Sequence, residues 1–167
     1  MINVAVDAMG GDNAPGEIVK GAVEAVNKRS DIHVLLVGQE EAVKKELASH
    51  CMEDLDTYPK EQITLVQASE VIETEEPPVN AIRKKKDSSI VVGMKLVKNG
   101  EADAFVSAGS SGAVLVGGQV LVGRIKGVER PPFGALIPTK KGVSLLLDCG
   151  ANVDSRSSHL VQFARMG

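Results

Sequence analysis

Three glycine-rich segments contain the residues best suited to holding a small anion. They are residues 7–15 (DAMGGDNAP), 107–113 (SAGSSGA) and 148–154 (DCGANVD), and each follows an apolar run and precedes a helical pattern. Free backbone N–H groups and the positive end of a helix bind phosphate at such places. One such turn more often serves tight packing, but three in one chain favour a binding cleft. We call them the first, second and third glycine turns.

None of the three turns matches a Walker A loop or a G-x-G-x-x-G fingerprint, so the sequence does not specifically indicate a nucleotide. Aspartates flank the turns, and a carboxylate there could orient N–H donors, take part in proton transfer or cap a helix. Capping is the favoured role for Asp154, because Ser155 and a helical pattern follow it. Asp7 and Asp12 straddle two glycines, so capping is a less sufficient explanation for both. We expect these aspartates on one rim of the fold: Asp7, Asp12, Asp148 and Asp154.

A basic loop at residues 123–132 (GRIKGVERPP) is the second candidate region. It is either a solvated connector or a site where Arg124 and Arg130 hold a phosphate or meet an acidic partner. The run at residues 83–86 (RKKK) is more simply an exposed helical face.

A serine acyl-hydrolase is the rival interpretation. Residues 109–113 (GSSGA) nearly match the G-x-S-x-G nucleophile elbow, and Ser111, then Asp148 or Asp154, then His159 follow in hydrolase order. Against it, His159 falls within an amphipathic helical pattern, whereas hydrolases place this histidine on a loop. The chain is also short for that fold, so this hypothesis ranks below the anion site.

The elements that must position these turns alternate between strand and helix. We predict strands at 3–6, 33–37, 63–67, 104–107 and 143–148, with helices at 15–27, 40–49, 79–99 with a break near 87–88, a buried glycine-rich helix at 111–123, and a last helix from 155. This alternation predicts a three-layer α/β/α, doubly wound and mostly parallel sheet. Ligands of such a fold bind at the carboxyl ends of the strands.

Composition narrows the function classes. The chain has 167 residues, of which 43% are hydrophobic, enough for the core of a single domain spanning 1–167. A net charge of -3 and only 2% aromatic residues disfavour nucleic acid. Cys51 and Cys149 lie far apart, which indicates neither a disulfide framework nor a metal site and favours the cytoplasm. No apolar run approaches the roughly 20 residues that span a bilayer. The final helix has no closing strand after it, which suggests half of a larger architecture.

Four segments in order, VDAMGGDNAP, SAGSSGA, GRIKGVERPP and LLDCGANVD, resemble the bacterial phosphate acyltransferase family of phospholipid synthesis (PlsX), over essentially the whole chain. DAMGGD close to the first methionine is the most specific of these signals. The resemblance implies transfer of a fatty acyl group from acyl carrier protein to inorganic phosphate, without a metal or organic cofactor. It also implies a homodimer related to phosphotransacetylases and isopropylmalate-type dehydrogenases, loosely associated with the cytoplasmic membrane and its glycerol-phosphate acyltransferase. Family members run to roughly twice this length, so the chain corresponds to an N-terminal half.

Two departures from the family pattern bear on the site. The family usually has Asn-Thr where this chain has Ser110 and Ser111, which argues against a serine nucleophile, and an aliphatic residue at Cys149, which favours an inert, buried thiol. The resemblance and the turns together predict three groups of site residues. The catalytic group is Asp7, Asp12 and Asp148; the substrate- or phosphate-binding group is Gly10, Gly11, Gly109, Ser110, Ser111, Gly112 and Asn152; the carrier-protein- or phosphate-binding group is Arg124, Lys126 and Arg130. A serine acyl-hydrolase and a half that binds phosphate or carrier protein without turnover remain the alternatives.

Overall fold

The computed structural model describes residues 1–51, 60–150, 152 and 154–167, and is built on a four-stranded parallel sheet. The strand order is β3-β2-β1-β4, and each neighbouring pair is parallel. The strands are β1 (Ile2–Asp7), β2 (Ile32–Gly38), β3 (Ile63–Gln67) and β4 (Ala104–Val106). All four were predicted from the alternation of apolar runs, with bounds that differ by one residue at most.

Helices connect the strands and cover both faces of the sheet. They are α1 (Gly16–Lys28), α2 (Glu40–Cys51), α3 (Pro78–Lys84), α4 (Ser89–Lys98), α5 (Ser111–Gly117) and α6 (Ser157–Met166), with a 3₁₀ turn at Lys60–Gln62. No helix in the described part of the chain is long and apolar enough to cross a bilayer.

Strand β2 lies at the centre of the core and is buried on both faces. Val34 and Leu36 pack with α1 and α2, whereas Leu35 and Val37 point to the opposite face, where α4 packs. A continuous apolar run is what such a strand requires, because successive side chains alternate between two covered faces. The three-layer α/β/α class predicted from the sequence is confirmed.

The predicted break between α3 and α4 is also confirmed, and Ser88 explains it. Its hydroxyl oxygen accepts a hydrogen bond from the Val91 N–H at 3.4 Å, which caps the first turn of α4, and donates to the Lys85 carbonyl at 2.9 Å. In the basic run before the break, Lys85 departs from the prediction of a solvated face. It forms an ion pair with Glu76 and donates to the Val71 carbonyl at 2.6 Å. Its hydrogen bond holds the pKa of Glu76 below the ordinary value.

Two predictions about the second half of the chain were wrong. Strand β6 (Gly142–Leu147) does not join the parallel sheet; it forms an antiparallel hairpin with β5 (Gly134–Thr139), a strand we did not predict. The periodicity of a short apolar run identifies a strand but not its partner, and Pro138 made residues 134–139 a poor strand candidate.

The second error is the buried helix at 111–123. Helix α5 ends at Gly117 and continues as a π-helical turn, Gly118–Val122, in which no residue is buried. The segment is apolar all round, but no other element in the described residues covers its outer face.

Candidate functional site

The first and second glycine turns meet because of the order of the strands. The chain leaves β1 toward β2 on one side, while β4 lies on the other side of β1, so the order reverses at this pair. In doubly wound sheets, ligands bind at this reversal, outside the carboxyl ends of the strands. The first turn follows β1 and the second follows β4. The predicted convergence of these two turns is therefore present.

Asp7 is the group that ties the two turns together. It is only 1% exposed, and its carboxylate lies beneath the turns rather than on their rim. Oδ1 accepts a hydrogen bond from the Met9 N–H at 3.1 Å, and Oδ2 accepts one from the Ser107 hydroxyl at 2.7 Å. The Ser107 oxygen in turn accepts from the Gly109 N–H at 3.0 Å. A chain of hydrogen bonds thus runs from the end of β1 into the second turn.

Gly10 and Gly11 make the close approach of the two turns possible. A Cβ atom on Gly10 would lie 2.5 Å from Asp7 Oδ2 and 2.8 Å from the Gly109 nitrogen, distances that no real side chain tolerates. Gly11 has φ +105°, a conformation that residues with a side chain rarely adopt, and it faces Ala108. Both glycines are required by the contact itself. Asp12, the next residue, is exposed.

The two serines of the second turn have different roles. Ser110 is buried, and its hydroxyl oxygen accepts the Ala113 N–H at 3.3 Å as the N-cap of α5. Ser111 is exposed at the first position of the helix. Gly112 lies against the Pro78 ring, because a Cβ on it would be 2.7 Å from Pro78 Cγ. Helix α3 therefore packs directly behind this turn.

The third turn reaches the second across a small pocket of about 200 Å³. Its walls come from the second turn and helix α5, from Phe133 and from the third turn: Ser111, Gly112, Leu115, Phe133, Cys149 and Gly150. Cys149 is exposed, which corrects the expectation of a buried thiol. All three glycine turns thus form one continuous surface, the first bonded to the second and the second facing the third.

Within the third turn, Asp148 and Asn152 brace the backbone. Asp148 has φ 62°, an uncommon conformation for a residue with a side chain, and its N–H donates to the Phe133 carbonyl at 2.6 Å. Asp148 Oδ1 accepts from the Asn152 side chain at 2.8 Å, and Oδ2 accepts from the Ser155 hydroxyl at 3.2 Å. The Asp148 carboxylate is therefore engaged inside its own turn.

The basic loop lies beside the turns, and its cations do not line the 200 Å³ pocket. Arg124 donates to the Glu129 carbonyl and Arg130 donates to the Asp154 carbonyl at 3.2 Å, so both guanidinium groups help to order backbone. The side chains of Arg124, Lys126 and Arg130 are all largely exposed. Arg130 thereby connects the basic loop to the end of the third turn.

An apolar groove of about 510 Å³ adjoins the pocket, and our sequence analysis did not identify it. It runs between α5 with its π-helical turn, the basic loop and the start of β5. Leu115 and Phe133 line both the groove and the pocket, so the two cavities share a wall. The signal that could have revealed the groove is the apolar character of residues 111–122 on every side, since a helix of this kind is either buried or binds something apolar.

His159 does not support the hydrolase alternative. Its ring is buried, Nδ1 accepts the Arg156 N–H at 3.1 Å, and Nε2 lies 3.0 Å from Glu129 Oε2. Because Nδ1 accepts a hydrogen bond, a neutral ring carries its proton on Nε2. The Nε2–H group then donates a hydrogen bond to Glu129 Oε2. Neither nitrogen is left to act on Ser111, and His159 does not line the pocket that Ser111 does. Through its contact with Glu129, the histidine connects the basic loop to α6.

Comparisons with known proteins agree with this geometry. A family model described as "Fatty acid synthesis protein" matches residues 2–167. The chain is 53% identical over 167 residues to a phosphate acyltransferase of Desulforamulus reducens, covering 100% of the chain and 48% of that protein. It is 49% identical over 166 residues to a phosphate acyltransferase of Alkaliphilus oremlandii, covering 99% of the chain and 48% of that protein. The chain spans about half the length of the curated relatives it matches, corresponding to their N-terminal half.

Proposed function

Because this chain belongs to the fatty acid synthesis protein family, in which its curated relatives are phosphate acyltransferases, we propose that it forms the N-terminal part of an acyl-carrier-protein:phosphate acyltransferase. An oxygen of inorganic phosphate attacks the thioester carbonyl carbon of the acylated carrier protein. The C–S bond breaks, the carrier leaves as its thiolate and takes up a proton, and acyl phosphate forms for phospholipid synthesis. Phosphate is already an anion near neutral pH, so the protein requires no covalent intermediate and no organic cofactor.

The observation that carries this proposal is the shared wall of the pocket and the groove. A fatty thioester has a polar reacting carbonyl at one end of a long apolar chain. The turn-lined pocket of about 200 Å³ suits the carbonyl and phosphate, and the groove of about 510 Å³ suits the chain. Leu115 and Phe133 line both cavities, so one ligand can occupy the two together.

The turns would supply the positioning that this reaction needs. Acyl transfer to phosphate is accelerated by holding the two reactants close together and by donating hydrogen bonds to the oxyanion that develops. The backbone N–H groups of Ser111, Gly112 and Cys149, three residues that line the pocket, are the candidate donors. Asp7 is too deeply buried to touch a reactant in this arrangement, so we assign it the role of a positioning residue. Asp12 and Ser111 are exposed and remain candidates for direct contact.

The remaining partners belong to the same proposal and rest on the family resemblance. The exposed basic loop would receive the acidic carrier protein, since complementary charge steers association. We also expect a homodimer in the cytoplasm, in loose contact with the membrane and its glycerol-phosphate acyltransferase.

The test uses the chain alone and a fusion of this chain to the C-terminal half of the Desulforamulus reducens relative. Each is incubated with an acyl carrier protein thioester, with and without phosphate, while hydroxylamine traps acyl phosphate and thioester loss is followed. We expect the fusion to consume thioester only with phosphate and to yield the acyl hydroxamate. Binding of phosphate or carrier protein without turnover by the fusion would instead favour the non-catalytic alternative.

Ser111→Ala separates the transferase from the serine hydrolase. The Ser111 hydroxyl is exposed and is not paired with His159, so its removal costs at most one hydrogen bond to a reactant and should lower the rate of the fusion by no more than about tenfold. The readout is thioester loss with and without phosphate. Phosphate-independent thioester loss that disappears in Ser111→Ala would overturn the transferase proposal.

Arg130→Ala tests the basic loop, with Arg83→Ala as the matched control on the exposed face of α3. We expect the Arg130 variant to raise the KM for carrier protein about three- to tenfold, with little change in kcat, because rim charges act mainly on encounter. The effect should shrink as salt is added. Equal KM values for the two variants at low salt would remove Arg130 from the carrier-binding surface.

A further inference from the structure

The β5–β6 hairpin exposes apolar side chains on both of its faces. Leu136, Val143 and Leu145 share one face, and Ile137 and Leu146 share the other, as the cross-strand register requires. Leu136 is 73% exposed, Val143 67% and Leu146 50%. These five residues lie outside the groove described above, which the hairpin meets only at Gly134. We call them the hairpin apolar faces.

Such a hairpin is not stable by itself in water. Two isolated strands are marginal without a third strand or a packed layer, and each strand here has one edge that is unpaired within the described residues. The end of α6 covers only part of one face, where Gly167 lies against Leu147 and Leu145. The hairpin apolar faces therefore require further cover.

The length of the relatives identifies the occupant. The chain accounts for 48% of the Desulforamulus reducens protein, so a polypeptide of about the same size as this chain completes that molecule. We propose that the C-terminal half of the full-length protein packs on both hairpin apolar faces and extends the two-stranded sheet.

Two other occupants fit the hairpin less well. A second copy of this chain in a two-fold dimer would place one face against its counterpart and leave the other face in water. A membrane would be entered by the tip of the hairpin, but the tip carries Lys140 and Lys141, whose charges oppose insertion into hydrocarbon. A covering polypeptide is the occupant that can reach both faces at once.

The experiment compares this chain alone with its fusion to the C-terminal half of the Desulforamulus reducens relative. Hydrogen exchange measures protection at residues 134–147, and light scattering after size exclusion measures the number of copies in each sample. We expect the hairpin to exchange at least about tenfold more slowly in the fusion than in the chain alone. The result does not depend on acyl transfer, so it tests the packing of the C-terminal half independently of the proposed reaction.

Two variants, one on each face, extend the test: Leu136→Lys and Leu146→Lys. In the fusion, each should speed exchange at residues 134–147 about tenfold or more, as loss of a central apolar contact does, whereas Val79→Lys on exposed α3 should change that exchange less than twofold. Circular dichroism of each fusion variant checks that it is folded.

Three results would overturn the proposal: exchange at residues 134–147 that is as fast in the fusion as in the chain alone, lysine variants that exchange like the unchanged fusion, or protection of the hairpin in the chain alone by self-association or by anionic vesicles.

Discussion

Gly10→Ala should remove both stability and activity, although it adds only one methyl group. That methyl group would lie 2.5 Å from Asp7 Oδ2 and 2.8 Å from the Gly109 nitrogen, so the first and second turns would have to separate. We expect a loss of about 1–3 kcal/mol in the free energy of unfolding, the usual cost of overpacking. Acyl phosphate formation by the fusion should fall by at least about a hundredfold, because displacement of a site by about 1 Å has effects of that size. Urea unfolding and the hydroxamate assay measure the two effects.

Gly21→Ala is the matched control, since Gly21 is an exposed glycine within α1 with nothing within 4 Å of the added Cβ. Alanine there should stabilise the protein by about 0.5–1 kcal/mol and leave the rate unchanged. If Gly10→Ala were as harmless as Gly21→Ala, the contact between the two turns would not be the organising feature of the site.

Asp7→Ala is the second substitution with a large expected effect. It would leave the Ser107 hydroxyl and the Met9 N–H, both hydrogen-bonded to the carboxylate, without their acceptor; Asp7 is buried, and Met9 and Ser107 are half-buried. Each fully buried group left unpaired costs about 1–3 kcal/mol, so for these two half-buried groups we expect a loss of about 1–4 kcal/mol in the free energy of unfolding. Activity of the fusion should fall because the second turn is no longer tied to β1.

Asp12→Ala on the same turn is the control, because Asp12 is exposed. Its effect on stability should stay within about 0.5 kcal/mol. Activity then separates two roles: a variant that is stable but inactive would identify Asp12 as a residue that touches the reactants. Asp7→Asn keeps an oxygen that can accept the Met9 N–H and should lose less stability than Asp7→Ala. Asp7→Asn that is fully stable yet inactive would contradict the positioning role and restore Asp7 as a catalytic candidate.

The residue pattern alone was sufficient to predict the strands of the parallel sheet. The apolar run at 33–37 favours a strand buried on both faces, and the break at Ser88 follows from local capping. Both are properties of short segments, so they can be predicted without knowing which elements those segments pack against. That the first two turns lie at the same edge of the sheet was also predictable, because strand alternation places the carboxyl ends of parallel strands at one edge.

The different roles of similar residues inside the site were not predictable in this way. Asp7, Asp12 and Asp148 have the same side chain beside similar glycines, yet Asp7 is buried, Asp12 is exposed and Asp148 braces its own turn. Likewise Ser110 caps α5 while Ser111 faces outward. A difference of one residue along a turn reverses the direction of a side chain, and the sequence does not record that direction.

The glycine turns that suggested an anion site were determined by the sequence itself, because glycine between an apolar run and a helical pattern indicates a turn whatever elements lie beside it. Which turn touches which was decided by tertiary structure, as were the apolar groove beside them and the pairing of β6 with β5 rather than with the main sheet. These features depend on contacts between residues far apart in the chain, such as Asp7 with Ser107. Local periodicity reports the burial of a segment, whereas the identity of its neighbour is set only when the whole chain packs.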